Sequence, residues 1–405
     1  MKTKKFFNLC ACVLLLGGLA MLTSCVYDSD EAVAGKTSED GKLIININSL
    51  SVGTRATTLA TDQAANEKKV SNLVVNIYTA DGTALVKTIT KDYTGATLLD
   101  ISTTQSVAEA VKSTGTAIAA GQKALVACNV SAATVTALSG AATITAWKAI
   151  ESNIDAALIA ADTEYANDGT KSMSASLVPM FGAADVAAAT GVESYKIDVT
   201  VKHVVAKVTL NSLTMDVAGA DQFKVSRLFL VNVPEKFIWD YDAADNSYYT
   251  ANTKFYQGHE TNDGTDDTKL YRDYLSTAAI NAVVNKTTPL AAKYCFYAMP
   301  NKADATKDTR LVIAGYWTAD GAAENTTNER FYSLKLQNTG SPLTLGVKPN
   351  HHYLIDVIIK RDGGTDPYDD NLSTVMSAEV NLTVSQNWDS QSNTNTFKEE
   401  GGAPQ

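Results

Sequence analysis

Read for apolar and polar positions, the chain is a succession of short alternating runs. "KLIININSL" (42–50), "VSNLVVNIYTA" (70–80), "ALVKTIT" (84–90), "YKIDVTVKHVVAKVTLNSL" (195–213), "FKVSRLFLVNV" (223–233), "TRLVIAGYW" (309–317), "FYSLKLQ" (331–337), "HHYLIDVIIK" (351–360) and "SAEVNLTVSQNW" (377–388) are rich in Val, Ile, Leu, Thr and Tyr. Many repeat with period two, which predicts strands with one buried face and one wet face. Asp81-Gly82, Asp263-Gly264, Asp320-Gly321 and "RDGGTDP" (361–367) supply turn chemistry between them. One region departs from the pattern. Residues 105–165 are Ala-rich, and Trp147, Ile150, Ile154 and Leu158 recur at spacings of three and four, one face of a helix. Thr143 or Thr145 would cap it. At "DVAGAD" (216–221) one strand-rich block passes to another, which places a domain boundary near residue 215. The expected fold is mostly β: two successive Greek-key β-sandwich domains, with a short helix in the first.

The first residues follow a different logic. Lys2, Lys4 and Lys5 precede an apolar stretch from Phe6 to Leu22, which closes on Leu22-Thr23-Ser24-Cys25. A run this short, with small residues before a cysteine, predicts a cleaved lipoprotein signal at 1–24, with Cys25 acylated. Val26 follows, and Asp28, Asp30 and Glu31 make an acidic start like that of some surface-exported lipoproteins. Further on, Arg55 is the only Lys or Arg between Lys42 and Lys68, set among Gly53, Thr54, Ala56 and Thr57. On the residues alone a lone arginine in a polar turn is simply solvated.

Composition removes several classes of function. The leader takes three of the 34 basic residues and none of the 44 acidic ones, leaving 381 residues at a net charge of −13. No basic cluster exists for phosphates, so no nucleic-acid partner is expected. Cys128 and Cys295, 167 residues apart in apolar runs, read as two buried small side chains rather than a disulfide, and no zinc spacing occurs. The four histidines (His203, His259, His351, His352) have no partner at metal-ligand or catalytic spacing, so neither an enzyme nor a cofactor is expected. The acidic loops "NDGTDD" (262–267) and "RDGGTDPYDDN" (361–371) lack EF-hand spacing and read as solvated turns, with no metal site.

Taken in order, "LTSC" (22–25), "KLIININSL", Arg55-Ala56 in "VGTRATT", "VPMFG" (178–182), "VTVKHVVAKVTL" (199–210), "YCFYAMPN" (294–301), "RFYSLKLQ" (330–337), "KPNHHYLIDVIIKRDGG" (348–364) and "VNLTVSQNW" (380–388) resemble the fimbrillins of the type V pilin family of Bacteroidales. Lys202-His203 stand where the family more often has an arginine. The resemblance implies two transthyretin-like domains, 56–215 and 216–405, behind a propeptide at 25–55. It implies a fimbrial subunit carried to the outer membrane by the lipid on Cys25 and cut between Arg55 and Ala56 by an arginine-specific protease. The cut would release a first strand in which Leu43, Ile45 and Ile47 face one way. The vacated groove would take a strand from another copy or from other fimbrial subunits, building a cell-surface fimbria that supports adhesion to host or bacterial ligands. The candidate donor lies near 377–397, where Val380, Leu382 and Val384 alternate with polar residues. Two other readings stand beside it. One is an accessory or tip subunit. The other is a glycan-binding surface lipoprotein, using Trp239, Tyr241, Tyr248 and Tyr249 as an aromatic platform.

Overall fold

A computed structural model of the chain describes residues 41–49, 67–93, 97–111, 117–152, 177–190, 194–240, 254–258, 269–271, 276–277, 279–301, 307–336, 346–367, 378–387 and 390–399. The longer strands, in chain order, are β1 (Gly41–Ser49), β2 (Asn72–Tyr78), β3 (Leu85–Asp92), β4 (Gln105–Val111), β5 (Lys123–Cys128), β6 (Met180–Ala188), β7 (Tyr195–His203) and β8 (Ala206–Met215). They continue with β9 (Gln222–Val231), β10 (Ala282–Asn285), β11 (Tyr294–Ala298), β12 (Arg310–Thr318), β13 (Glu329–Lys335), β14 (His352–Ile359), β15 (Ala378–Asn387) and β16 (Ser390–Glu399). Helices α1 (Ala132–Ser139) and α2 (Ile144–Lys148) lie between β5 and β6. The chain is mostly β, as its alternation predicts.

Three sheets carry the architecture. A seven-stranded sheet runs β3-β2-β5-β6-β7-β1-β4, a five-stranded sheet β11-β8-β14-β15-β16, and a four-stranded sheet β10-β9-β12-β13. The seven-stranded sheet uses only residues before 204. Its two edges, β3 and β4, are bridged by Lys91 and Glu109, whose Nζ and Oε2 are 2.7 Å apart. The sheet therefore curls around one apolar cluster that includes Leu43, Ile45, Ile47, Val75, Ile77 and Val126. Alternate residues of β2 and β5, among them Val74, Tyr78 and Leu125, join a second and larger cluster on the other face, shared with the five- and four-stranded sheets. Both faces of β2 are thus covered, which is why its sequence is nearly continuous in apolar residues.

Two expectations change in detail. The long run 195–213 is two strands, split at Val204-Val205, and β8 pairs with β11 and β14 rather than staying in the sheet of β7. The helical face predicted from Trp147 to Leu158 ends early. Thr143 does cap α2, accepting the Ala146 N–H at 3.0 Å, but the helix stops at Lys148. Glu151-Ser152 pair instead with Phe237-Ile238, so a tertiary strand contact overrides the helical period at Ile150. Ile154 and Leu158 lie outside the described residues. A second helix, α1, precedes α2 and is capped by Ser131, whose hydroxyl accepts the Thr134 N–H at 3.2 Å.

Candidate strand-acceptor site

β1 owes its place to strict alternation. Leu43, Ile45 and Ile47 are each 0% exposed, while Ile44, Asn46 and Asn48 on the other face are half-buried. Burying three such side chains stabilises the seated strand by roughly 5–9 kcal/mol. The strand is interior to its sheet. It pairs in parallel with β7, from Leu43 opposite Tyr195 to Ser49 opposite Val201, and antiparallel with β4, from Gly41 opposite Val111 to Ile47 opposite Gln105. Among the described residues β4 pairs with no other strand of that sheet; besides β1, the Lys91–Glu109 ion pair ties it to β3.

The outer face is polar and specific. Asn46 Nδ2 donates to Asp198 Oδ1 at 2.6 Å, and Asn46 Oδ1 accepts from Ser106 Oγ at 2.7 Å. Thr200 Oγ1 donates to Asn48 Oδ1 at 2.8 Å. The Asn46 amide and then the Lys196 ammonium hold the Asp198 carboxyl below the usual carboxylate range.

The C-terminal end of β1 is clipped. Ile101 O accepts both the Ser49 N–H, at 3.0 Å, and the Ser49 hydroxyl, at 3.1 Å. The Ile101 N–H in turn donates to Lys68 O at 2.9 Å. One residue thus ties the chain on both sides of segment 50–66. Beside Lys68, Glu67 is buried, and its Oε1 accepts from Lys207 Nζ at 2.8 Å and Tyr297 Oη at 2.6 Å. His203 Nε2 lies 3.0 Å from Glu67 O. Strand patterning does not reveal this network. The one signal was a lysine, Lys207, inside an otherwise apolar run.

At the other end of the chain, β15 pairs antiparallel with β14 and β16 pairs with β15 as the edge strand. Val380, Leu382 and Val384 fall within β15, opposite Val357, Ile355 and Tyr353. Cys25, Arg55 and Ala56 lie outside the described residues, as do His259, Asp263-Gly264, Tyr241, Tyr248 and Tyr249.

The remaining candidates have structural employment. His352 Nε2 sits 2.8 Å from Thr209 Oγ1, and burial, then Lys207 and Lys293, push its pKa well down. His351 faces Pro349 O at 2.7 Å, with burial lowering its pKa to about 4. Asp362 of the second acidic loop is bound by Arg330 Nε at 3.0 Å. No disulfide joins Cys128 and Cys295; Cys128 is buried as expected, whereas Cys295 is only half-buried, and burial pushes the Cys128 thiol up to about 12. Trp239 is 1% exposed, packs edge-on against Phe237 and donates to Ser152 Oγ at 2.8 Å. It belongs to the core and is lost to any exposed aromatic platform. Among the described residues, no group of three His, Cys, Asp or Glu side chains is placed to hold a metal ion.

No protein-family model matches the sequence, and no curated protein matches it. Solved structures do share the fold. A candidate cell adhesion protein from Bacteroides eggerthii aligns over 86% of this chain and 96% of its own, with a TM-score of 0.53 and 20% identity. One from Parabacteroides distasonis aligns over 86% and 99%, with a TM-score of 0.54 and 16% identity. A fimbrilin from Porphyromonas gingivalis aligns over 82% and 93%, with a TM-score of 0.54 and 14% identity.

Proposed function

We propose that a chain with this fold, shared with a fimbrilin and with candidate adhesion proteins, is itself a subunit of a cell-surface fimbria and not an enzyme. On this reading it belongs to the type V pilin family. It is made as a lipoprotein precursor, held at the outer membrane through Cys25, cut between Arg55 and Ala56 by an arginine-specific protease and polymerised by strand exchange. Its partners are further copies of itself and other fimbrial subunits.

One observation carries the proposal. β1 is an interior strand with all three inward side chains fully buried, yet it lies entirely before Arg55. A single cut there breaks its covalent link to every strand it pairs with. Its departure would strip partners from β7 and from β4 and open three apolar pockets, an unpaired edge that templates another strand. The C-terminal β15–β16 pair supplies a segment able to fill such a groove. That favours a shaft subunit, which accepts and donates, over a tip subunit, which need only accept.

The fold reading is two transthyretin-like Greek-key sandwich domains. The change of sheet at Val204-Val205 supports drawing their boundary there rather than near residue 215.

The test uses the purified full-length precursor in detergent, treated briefly with an arginine-specific protease. A new N-terminus at Ala56 together with concentration-dependent, detergent-resistant ladders is the expected result. A cut at Arg55 without ladders would move the chain to the accessory or tip role. Resistance to cutting, with the protein staying monomeric, would overturn the proposal and favour a lipid-anchored binding protein.

A further inference from the structure

The polar face of β1 carries information that its apolar face does not. Three aliphatic pockets accept many alternating strands in several registers, because any shift by two residues again points apolar side chains inward. The outer face is less tolerant. At position 46 the side chain must donate to Asp198 and accept from Ser106 at once, as the Asn46 amide does at 2.6 and 2.7 Å. A carboxamide has both groups. A hydroxyl has one hydrogen to give and sits on a single atom, and a carboxylate only accepts.

We propose that Asp198 and Ser106 select the register of the incoming strand, that the occupant is segment 378–387 of a second copy, and that Asn381 takes the place of Asn46. This rests on the strand-exchange reading and deepens it.

The sequence of that segment then sets its direction. With Asn381 at position 46, a strand running in the direction of β1 would put Ala378, Val380 and Leu382 into the pockets of Leu43, Ile45 and Ile47. Alanine in the leucine pocket leaves a cavity. A strand running the opposite way puts Val384, Leu382 and Val380 into the same three pockets. It also brings Glu379 beside Thr200, whose hydroxyl donates to Asn48 in the precursor. The donor therefore enters antiparallel to β7, reversed with respect to the strand it replaces. The rival seating keeps the direction of β1 and the same three apolar residues, but puts Thr383 at position 46.

Charge swaps separate these arrangements. The full-length precursor is cleaved after Arg55 and ladder growth is followed in time. Asn381→Asp brings a carboxylate against Asp198 and should slow growth roughly tenfold or more, through a lost charged hydrogen bond and like charges across strands. Adding Asp198→Asn should restore growth to within about twofold of the unmodified chain. Asn381 stands opposite Asp356 in its own sheet, so a folding defect of the donor would not respond to Asp198→Asn. Thr383→Asp should be tolerated, since in the favoured seating it meets Lys196.

Direction is read by cross-linking. Thr383→Cys should form an intermolecular disulfide with Lys196→Cys, because Lys196 pairs with position 44, and not with Thr200→Cys, which pairs with position 48. A block by Thr383→Asp instead of Asn381→Asp would overturn the register. Cross-linking to position 200 would overturn the direction. Ladders that ignore both charge changes would show that the donor is another segment while leaving strand exchange intact. Failure of the unmodified chain to polymerise would overturn the assembly reading itself, and this inference with it.

Discussion

β1 and β15 have the same grammar and different circumstances. Each sets three aliphatic residues two apart, Leu43, Ile45 and Ile47 in one and Val380, Leu382 and Val384 in the other, and each has a neighbour on both sides. β1 sits inside a curled sheet, bonded to β7 in parallel and β4 antiparallel, with its far end clipped to Ile101. β15 is next to the edge of its sheet, and beyond it lies β16, the last strand among the described residues. An interior strand early in the chain leaves cleanly only if the backbone after it is cut. β15 needs no cut to leave, but both its ladders, to β14 and to β16, must unzip. The difference teaches that a pattern fit to fill a groove does not by itself give a strand its role; on the strand-exchange reading, place in the chain and place in the sheet decide which is plug and which is donor.

The largest test attacks the plug. Ile45→Asp buries an unpaired carboxyl at a fully enclosed position and should cost roughly 5 kcal/mol of precursor stability, read as a fall in the urea midpoint. On the strand-exchange reading it should also speed ladder growth once the chain is cut after Arg55. Next in size is the anchor beyond segment 50–66. Lys207→Met strands buried Glu67 and should cost about 3–5 kcal/mol, whereas the double change with Glu67→Gln should recover most of that.

A smaller effect separates the two sheets by pH. His351 and His352 stand at the start of β14, the strand on which β15 pairs, and both are held neutral by burial. Because their folded pKa values are depressed from 6.5, the unfolded chain binds the extra protons. Stability is full above about 6.5 and falls as pH drops below it, for His351 across the window from about 6.5 to about 4. His351→Gln should flatten the urea midpoint across that window and leave the cleaved plug's retention unchanged. The smallest effect is Asn46→Ala, which removes two exposed-face hydrogen bonds of β1. It should cost about 1 kcal/mol, with the Asp198 carboxyl rising toward its ordinary range in an NMR titration.

What was legible in the sequence was local. The buried face of β1 could be read because Leu43, Ile45 and Ile47 stand two apart with Asn46 and Asn48 on the other side, and Thr143 could be read as a cap because the signal sits within one helical turn. The split at Val204-Val205 could not, since the apolar period runs through it unbroken and only a change of pairing partner marks it. The helix that ends at Lys148 fails the same way, because Glu151 pairs with a residue 87 positions later, Ile238. Glu67, in a turn, met Lys207 and Tyr297 only after folding set it against the paired strands β8 and β11. Side chains that recognise each other across the fold leave no period behind.

On the strand-exchange reading, the clip at Ile101 would set a clock. Since that residue holds Ser49 on one side of segment 50–66 and Lys68 on the other, a nick between them would leave both ends where they were. Proteolysis would then license a subunit without activating it. The rate at which a filament grows would follow the half-life of a severed strand in its groove, so subunits could be cut early, stored intact and spent only when a neighbour arrives to displace the plug.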